Sequence, residues 1–476
     1  MPTQRTLIDN LEYALTLDAE RRVIRHASIA IEESRISRVA KSEVVSKEYS
    51  KGYFDRTVDG RRCIATPGFI DTHVHTHEHL SRGLFPDNID TASWTYEWAY
   101  PFYGNTTEED EYASALLCCA DMLRTGTTCF LESGARFPRS VARAVEETGI
   151  RGIIGRRVMD NPPSKLPEKW PAKLRDELYF PSADAALSET RRSIEDCRAL
   201  NNERIRAWVT INGKDTCTDE LYVRAHELSR ELTVGMHFHI ASSLKEAKAS
   251  EKKRGVWPIT HVEQLGVLRE NVVMAHATMV GDSEVSLIRD RQAKVSFCPG
   301  SALKLAKGAG PYGKYPELLS AGATVSLGCD GAAAAGSFDM TRQVYLASGM
   351  FKDSRLDERM IPAELALEMG TLMGARALQW EDEIGSIEEG KCADIAIFNA
   401  AQLEWLPLND PVQNLVYSAS GLSVDCVLVN GEVVVEKGGR VRALGEDGEV
   451  LRAVEASAKR SIERSGLHPS RSWKYE

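Results

Sequence analysis

Through the middle of the chain, short apolar runs alternate with longer polar stretches. The runs are CIATPGFID (63–71), GTTCFLES (126–133), RGIIGRRVM (151–159), RIRAWVTI (204–211), TVGMHFHIA (233–241), NVVMAHAT (271–278), KVSFCPGS (294–301) and TVSLGCDG (324–331). Each has the length and bounding turn residues of a buried strand. Polar segments such as TEEDEYASALLCCADMLRT (107–125) and CTDELYVRAHELSREL (217–232) carry helical spacing between them. Strands alternating with helices over residues 63–383 predict an α/β fold, a (β/α)8 TIM-type barrel. An open doubly wound sheet would show a Gly-rich turn after its first strand, and PGFIDTHVH is not one. The stretch PAELALEMGTLMGARALQW (362–380) predicts a last helix closing the barrel.

The two ends carry a different pattern. HASIAIEESRISRVA (26–40) predicts two strands joined by a polar turn, and CADIAIFNA (392–400) predicts another. DCVLVNGEVVVEKGGRV (425–441) predicts a hairpin turned at Asn430-Gly431. Isolated hairpins are marginal in water. Residues 1–62 and 384–445 are therefore expected to pair into one small β-sandwich domain, with a helical tail at 446–476.

Composition narrows the class. A net charge of −10 disfavours a general nucleic-acid or anionic-membrane binder. The ten cysteines are scattered with no CxxC pair, as expected for reduced, buried thiols. The N-terminus lacks a signal-peptide apolar core, and no run is long enough to span a membrane. A cytoplasmic protein acting on a small molecule is the expectation.

The chemistry concentrates at strand ends. Residues 67–83 read PGFIDTHVHTHEHLSRG, with His73, His75, His77 and His79 at alternate positions, four of the eleven histidines in the chain. Residues two apart on a strand face the same way, so His73 and His75 can address one point. His239, His276 and Asp330 each fall at the C-terminal end of a later strand, where a barrel gathers its catalytic groups. Taken singly, each is an ordinary core histidine or turn aspartate, and HxH alone is a weak signal. Together, imidazoles and a carboxylate suit one divalent metal: zinc by default, with iron, cobalt or manganese accepting similar donors. Such an ion brings bound water to a pKa of about 7.

PGFIDTHVH followed by SRG, then HFHIA, MAHA, FCPGSALKL and LGCDGAAAAGSFDM, resembles the amidohydrolase superfamily. The resemblance is to its mononuclear branch of S-adenosylhomocysteine and guanine-type deaminases, atrazine chlorohydrolase and triazine hydrolase. It covers nearly the whole chain; ISRVAKSEVV (36–45) and IGSIEEGKCADIAIF (384–398) match the segments of the β-sandwich. It implies that His73, His75 and His239 are metal ligands, and that Asp330 is both a ligand and the acceptor of the attacking water's proton. It implies that His276 polarises the scissile centre. Relatives are often homo-oligomeric.

The sequence departs from that pattern at several places. Deaminases of this branch carry a glutamate three residues after the third histidine, where this chain has Ser242. Asn212 stands about where a histidine follows strand 4; Ala334-Ala335 and Ser301-Ala302 replace Ser-Asn pairs. These losses favour hydrolysis of an amide, carbamate, urea or carbon–halogen bond in a less polar molecule. The alternative is deamination of a purine-, pterin- or triazine-like heterocycle, with a noncatalytic metal-binding barrel third. His77 and His79 read as loop residues at the site mouth, with His79 and Arg82 candidates for substrate contact. Trp94 and Trp98, in SWTYEWAYPFY (93–103), are candidate pocket walls, as are Asn212, Ser242 and Ser301. Lys214, in an Asn-Gly-Lys-Asp turn, reads as a solvated loop lysine rather than a metal bridge.

Overall fold

A computed structural model describes residues 4–164, 167, 170, 172–446, 448–469 and 473. Eight parallel strands form the central sheet: Phe69–His75, Thr127–Glu132, Arg151–Gly155, Ile205–Gly213, Met236–Ile240, Val272–His276, Lys294–Phe297, and an eighth in two pieces, Val325–Leu327 and Asp330–Gly331. Each pairs with its sequence neighbour. The last piece pairs back onto the first strand, Asp330 opposite Val74 and Gly331 opposite His75, which closes the ring. Most strand residues are buried on both faces, as expected when helices wrap a parallel sheet.

Local signals account for the helices. Glu108–Arg124 starts with a capping box: Thr107 Oγ1 accepts the Asp110 N–H, and Asp110 Oδ2 accepts the Thr107 N–H at 2.8 Å. Four acidic residues fill its first turn and Arg124 its last, complementing the helix dipole. Ring closure differs from expectation. Residues 362–380 form two short helices, Ala363–Met369 and Leu372–Ala377, rather than one. The Gly370 carbonyl accepts the Ile70 N–H of the first strand at 2.9 Å, so it is drawn away from a continuous helix.

The expected strand at 63–71 is two strands. Cys63–Pro67 pairs antiparallel with Ile395–Asn399, while Phe69–His75 enters the barrel. The crossing residue is Gly68, whose N–H bonds the Asp394 carbonyl at 2.9 Å; a Cβ there would lie 2.1 Å from Thr128. Both termini build one mixed nine-stranded sheet with its own apolar core, including Ile8, Leu11, Ile29, Ile395, Ile397 and Leu428. The strands Val23–Glu32 and Arg35–Lys41 pair as expected, and Asn430 and Gly431, at φ 53° and 77°, make the hairpin turn. Helix Glu449–Ser465 of the tail lies on Glu108–Arg124, where Ser457 Oγ donates to Asp110 Oδ1 at 2.6 Å.

A buried ion pair fastens the terminal sheet to the barrel. Arg151, at the start of the third barrel strand, reaches Asp394 through Nε (2.7 Å) and Nη2 (3.0 Å), with side chains 1% and 2% exposed. Asp394 Oδ1 also accepts the Asn430 N–H at 2.8 Å. Removing one partner of a buried pair strands the other charge. Asp394→Ala is therefore expected to cost about 3–5 kcal/mol in urea unfolding, a loss that would not appear if the pair were dispensable.

Candidate metal centre

His75 ends the first barrel strand, and the chain turns at once into a buried 3-10 turn, Thr76–Ser81. His73 and His75, both on that strand, meet His239 from the fifth, His276 from the sixth and Asp330 from the eighth. Ligand atoms of His73, His239 and His276 lie within 4.8 Å of one another, as do those of His73, His75 and Asp330. Asp330 Oδ1 stands 3.4 Å from His75 Nε2 and 3.6 Å from His73 Nε2, and its Oδ2 is 3.9 Å from His276 Nε2. All five residues are buried. His276 and Asp330 both have φ of 69°, a left-handed conformation uncommon outside glycine, which turns these side chains off their strand ends into the shared space.

Outer hydrogen bonds set the tautomers. His237 Nδ1–H donates to the Val273 carbonyl at 2.8 Å, so its Nε2 accepts from His73 Nδ1–H, also at 2.8 Å. His239 Nδ1–H donates to the Asn212 carbonyl at 2.7 Å, and His75 Nδ1 bonds Ser133 Oγ at 2.7 Å. The His73 and His239 bonds leave Nε2 facing the cluster, the arrangement by which outer partners orient metal-bound histidines. Burial, then the neighbouring His73, pushes the His75 imidazole well below its usual range, keeping it neutral. Burial opposes ionisation of Asp330, but Lys307, His73 and His276 outweigh it and hold the group as a carboxylate. The Nε2 atoms of His75 and His239 approach to 3.1 Å. With these imidazole nitrogens and the Asp330 carboxylate gathered so closely, the donor set fits a divalent ion in number, type and charge.

The cluster opens into a cavity of about 330 Å³, walled by Trp94, Tyr96, Tyr100 and Tyr103 on its aromatic side and by Glu78, Arg157, Asn212, Ser242, Glu246 and Lys307 elsewhere. Lys307 Nζ lies 3.3 Å from Asp330 Oδ2 and from His276 Nε2. Burial, then the Asp330 charge, pushes the Glu78 carboxyl well above the ordinary range.

Residues 64–434 match the model of the amidohydrolase family. The chain belongs to the amidohydrolase family. It is 33% identical over 435 residues to a 5'-deoxyadenosine deaminase of Methanothermobacter thermautotrophicus, covering 91% of this chain and 95% of that one. It is 30% identical over 450 residues to a 5-methylthioadenosine/S-adenosylhomocysteine deaminase of Thermoanaerobacter pseudethanolicus, covering 94% and 98%. The solved structure of an adenosine deaminase from Xanthomonas campestris with bound zinc superposes with a TM-score of 0.86 at 25% identity, over 97% and 98% of the two chains.

Not every residue expected in this amidohydrolase's pocket is there. Trp94, Asn212 and Ser242 line the cavity, the Asn212 amide donating to Thr216 Oγ1 at 2.8 Å. His79 is buried 4.3 Å, ring to ring, from Phe338 and lies 3.6 Å from Asp121, away from the cavity. Arg82 pairs with Asp121 at the surface. Trp98 packs on Phe85, and Ser301 sits behind Lys307 at 3.4 Å. His79, Arg82 and Trp98 were expected at the pocket on the reading of residues 76–83 as an open loop and 93–103 as one wall, and Ser301 from its place after the seventh strand; the 3-10 turn instead rolls His79 toward the helix Glu108–Arg124. His77 is likewise buried, its Nδ1 3.9 Å from Glu132 Oε1. Lys214 begins a short 3-10 turn; its side chain lies outside the described residues. The sequence reading missed His237, Ser133, Glu78, Arg157 and Lys307. His237 was findable, because it alternates with His239 as His73 does with His75. Lys307 was not, since it reaches back from a loop after the seventh strand.

Among the described residues no helix is long and apolar enough to cross a membrane, and all ten cysteines are free and buried.

Proposed function

We propose that this amidohydrolase is a metal-dependent aminohydrolase releasing ammonia from an amino-substituted nitrogen heterocycle of the adenosine type. The observation that carries the reading is the convergence of four imidazoles and Asp330 on one mouth of the barrel, facing an aromatic-walled cavity. Relatives named for deaminating 5'-deoxyadenosine and 5-methylthioadenosine support it, as does the zinc-bound adenosine deaminase. His73, His75, His239 and Asp330 would hold the ion, zinc by preference, which when bound activates water for attack. Asp330 accepts the water's proton, and His276 donates to the oxygen that becomes bound to the attacked carbon, where charge develops. Tyr96, Tyr100 and Trp94 present ring faces on which a planar heterocycle stacks.

A second reading rests on one specific observation. Ser242 donates its hydroxyl to Glu246 at 2.9 Å and offers no acid of its own. That favours cleavage of an amide, carbamate, urea or carbon–halogen bond, which needs no ring protonation. The deciding experiment gives zinc-loaded protein adenosine, 5'-deoxyadenosine, 5-methylthioadenosine, guanine, chlorinated and aminated triazines, and simple amides and carbamates, detecting ammonia, amine and chloride separately. Ammonia from the adenosine-type amines is the expected result. Chloride or amine release without it would replace the proposal by the second reading.

A further inference from the structure

Four carboxyls touch the cavity wall among the described residues, and three of them have other work. Asp330 belongs to the ligand cluster. Glu246 has its oxygens engaged by the N–H groups of Ala241 (2.7 Å) and Ser242 (2.9 Å) and by the Ser242 hydroxyl, so from the first turn of its helix, Leu244–Arg254, it ties down the segment that leads into it. Asp215 is half exposed and pairs with Arg254 at 3.1 Å. The fourth is Glu78.

Glu78 is 3% exposed, and its Oε2 has no hydrogen-bond partner. A buried polar atom left unsatisfied is costly, and the fold alone gives no reason to bear that cost. The carboxyl is nonetheless held in place. It fills the space beside the α-carbon of Gly331, where a Cβ would sit 1.6 Å from Oε2. Gly331 directly follows Asp330 and pairs with His75 in the sheet. Glu78 thus stands against the backbone that carries the catalytic aspartate and opens on the same cavity as His75, His276 and Asp330. Burial favours its protonated form, in contrast to Asp330. Two carboxyls of opposite protonation at one site divide the acid and base roles between them.

We propose that Glu78 is a further catalytic residue, the acid that protonates the ring nitrogen of the substrate in place of a carboxyl at Ser242. The inference rests on the deaminase reading. As water attacks the amine-bearing carbon, one of its protons passes to Asp330 and a carbon–oxygen bond forms. The carbon–nitrogen π pair moves onto the ring nitrogen, which takes the Glu78 proton. The bond to the exocyclic amine then breaks as that amine takes the proton from Asp330 and leaves as ammonia. The new hydroxyl returns its proton to Glu78 and becomes the carbonyl, so both carboxyls end as they began.

The test uses full-length metal-loaded protein, Glu78→Gln, and the double variant Glu78→Gln/Ser242→Glu. With an adenosine-type amine, Glu78→Gln is expected to lower kcat by about 100-fold or more, with KM and metal content changed by less than about twofold. The double variant, with a carboxyl placed at position 242 of the same cavity wall, is expected to recover at least about tenfold of the loss. An infrared difference spectrum at neutral pH should show a protonated-carboxyl band in the parent that is missing in Glu78→Gln. A variant within about threefold of the parent, or a parent lacking that band, overturns the proposal. So does a loss that follows metal content or thermal stability with no rescue in the double variant, which marks a structural role. The deaminase reading fails separately: the parent then releases no ammonia, whatever the infrared band shows, and Glu78 is judged on that band.

Discussion

Replacing Asp330 by asparagine is expected to lower kcat at least about 100-fold while leaving the fold intact, the scale set by loss of a positioned base. Asparagine keeps the size and the contact with the Gly331 N–H, now 3.0 Å from Oδ1. It removes the ability to take a proton. In the parent, Lys307, His73 and His276 overcome the burial that would otherwise neutralise Asp330, so the base stays charged under the conditions in which it must act. The amide also removes the one anionic donor from the ligand set, so metal content must be measured beside kcat. At saturating zinc, the loss should persist with one ion bound per chain, which separates failed proton transfer from failed binding. A Tm close to that of the parent checks the fold. A variant that keeps more than about a tenth of the parent's turnover with metal bound would show that another group takes the water's proton.

How far this centre could be read from the chain follows from geometry. His73 and His75 share a strand face because the side-chain period there is two, and the ends of strands five, six and eight are adjacent in a closed barrel. Local pattern plus one topology therefore suffices to bring His239, His276 and Asp330 to the same mouth. The reading fails one residue past the strand end. From Thr76 the period changes to that of a 3-10 turn, so the alternation of His77 and His79 with His75 no longer means a common direction. His79 goes to the Asp121 side, while Glu78, between two histidines that drew attention, faces the cavity. Lys307 is invisible for another reason: a long side chain from a loop reaches the centre without any periodic signal. The division at Gly68 escaped because Cys63–Pro67 and Phe69–His75 are both fully buried, and a buried strand in one sheet looks like a buried strand in the next. The choice of substrate class was drawn toward amides and halides by a few positions, Ser242, Asn212, Ala334-Ala335 and Ser301-Ala302; relatives over nine-tenths of the chain, named as deaminases, favour the proposed amino-heterocycle instead.

Stripping the metal with a chelator is expected to abolish turnover and to lower Tm, and adding zinc back is expected to restore both. The ligand imidazoles are buried, and His239 and His73 are held in the tautomers that turn Nε2 inward by the Asn212 carbonyl and His237. Without a cation, the buried imidazoles and the Asp330 carboxylate keep their desolvation cost and lose the charge of the ion that offsets part of it. An ion that binds the folded chain alone stabilises it by about 4 kcal/mol at a thousandfold excess over its dissociation constant. That contribution should vanish on chelation and scale with the logarithm of added zinc, a dependence that thermal unfolding at several zinc concentrations reads directly. His239→Ala, which removes one donor and leaves the aspartate in place, should flatten the same dependence. Because His237 supports His73 from outside the cluster, His237→Ala should shift the curve to higher zinc by about 10–100-fold, the loss that follows when an outer partner is removed. Unchanged turnover in protein dialysed to well under one ion per chain would mean that this arrangement of imidazoles serves something other than a metal.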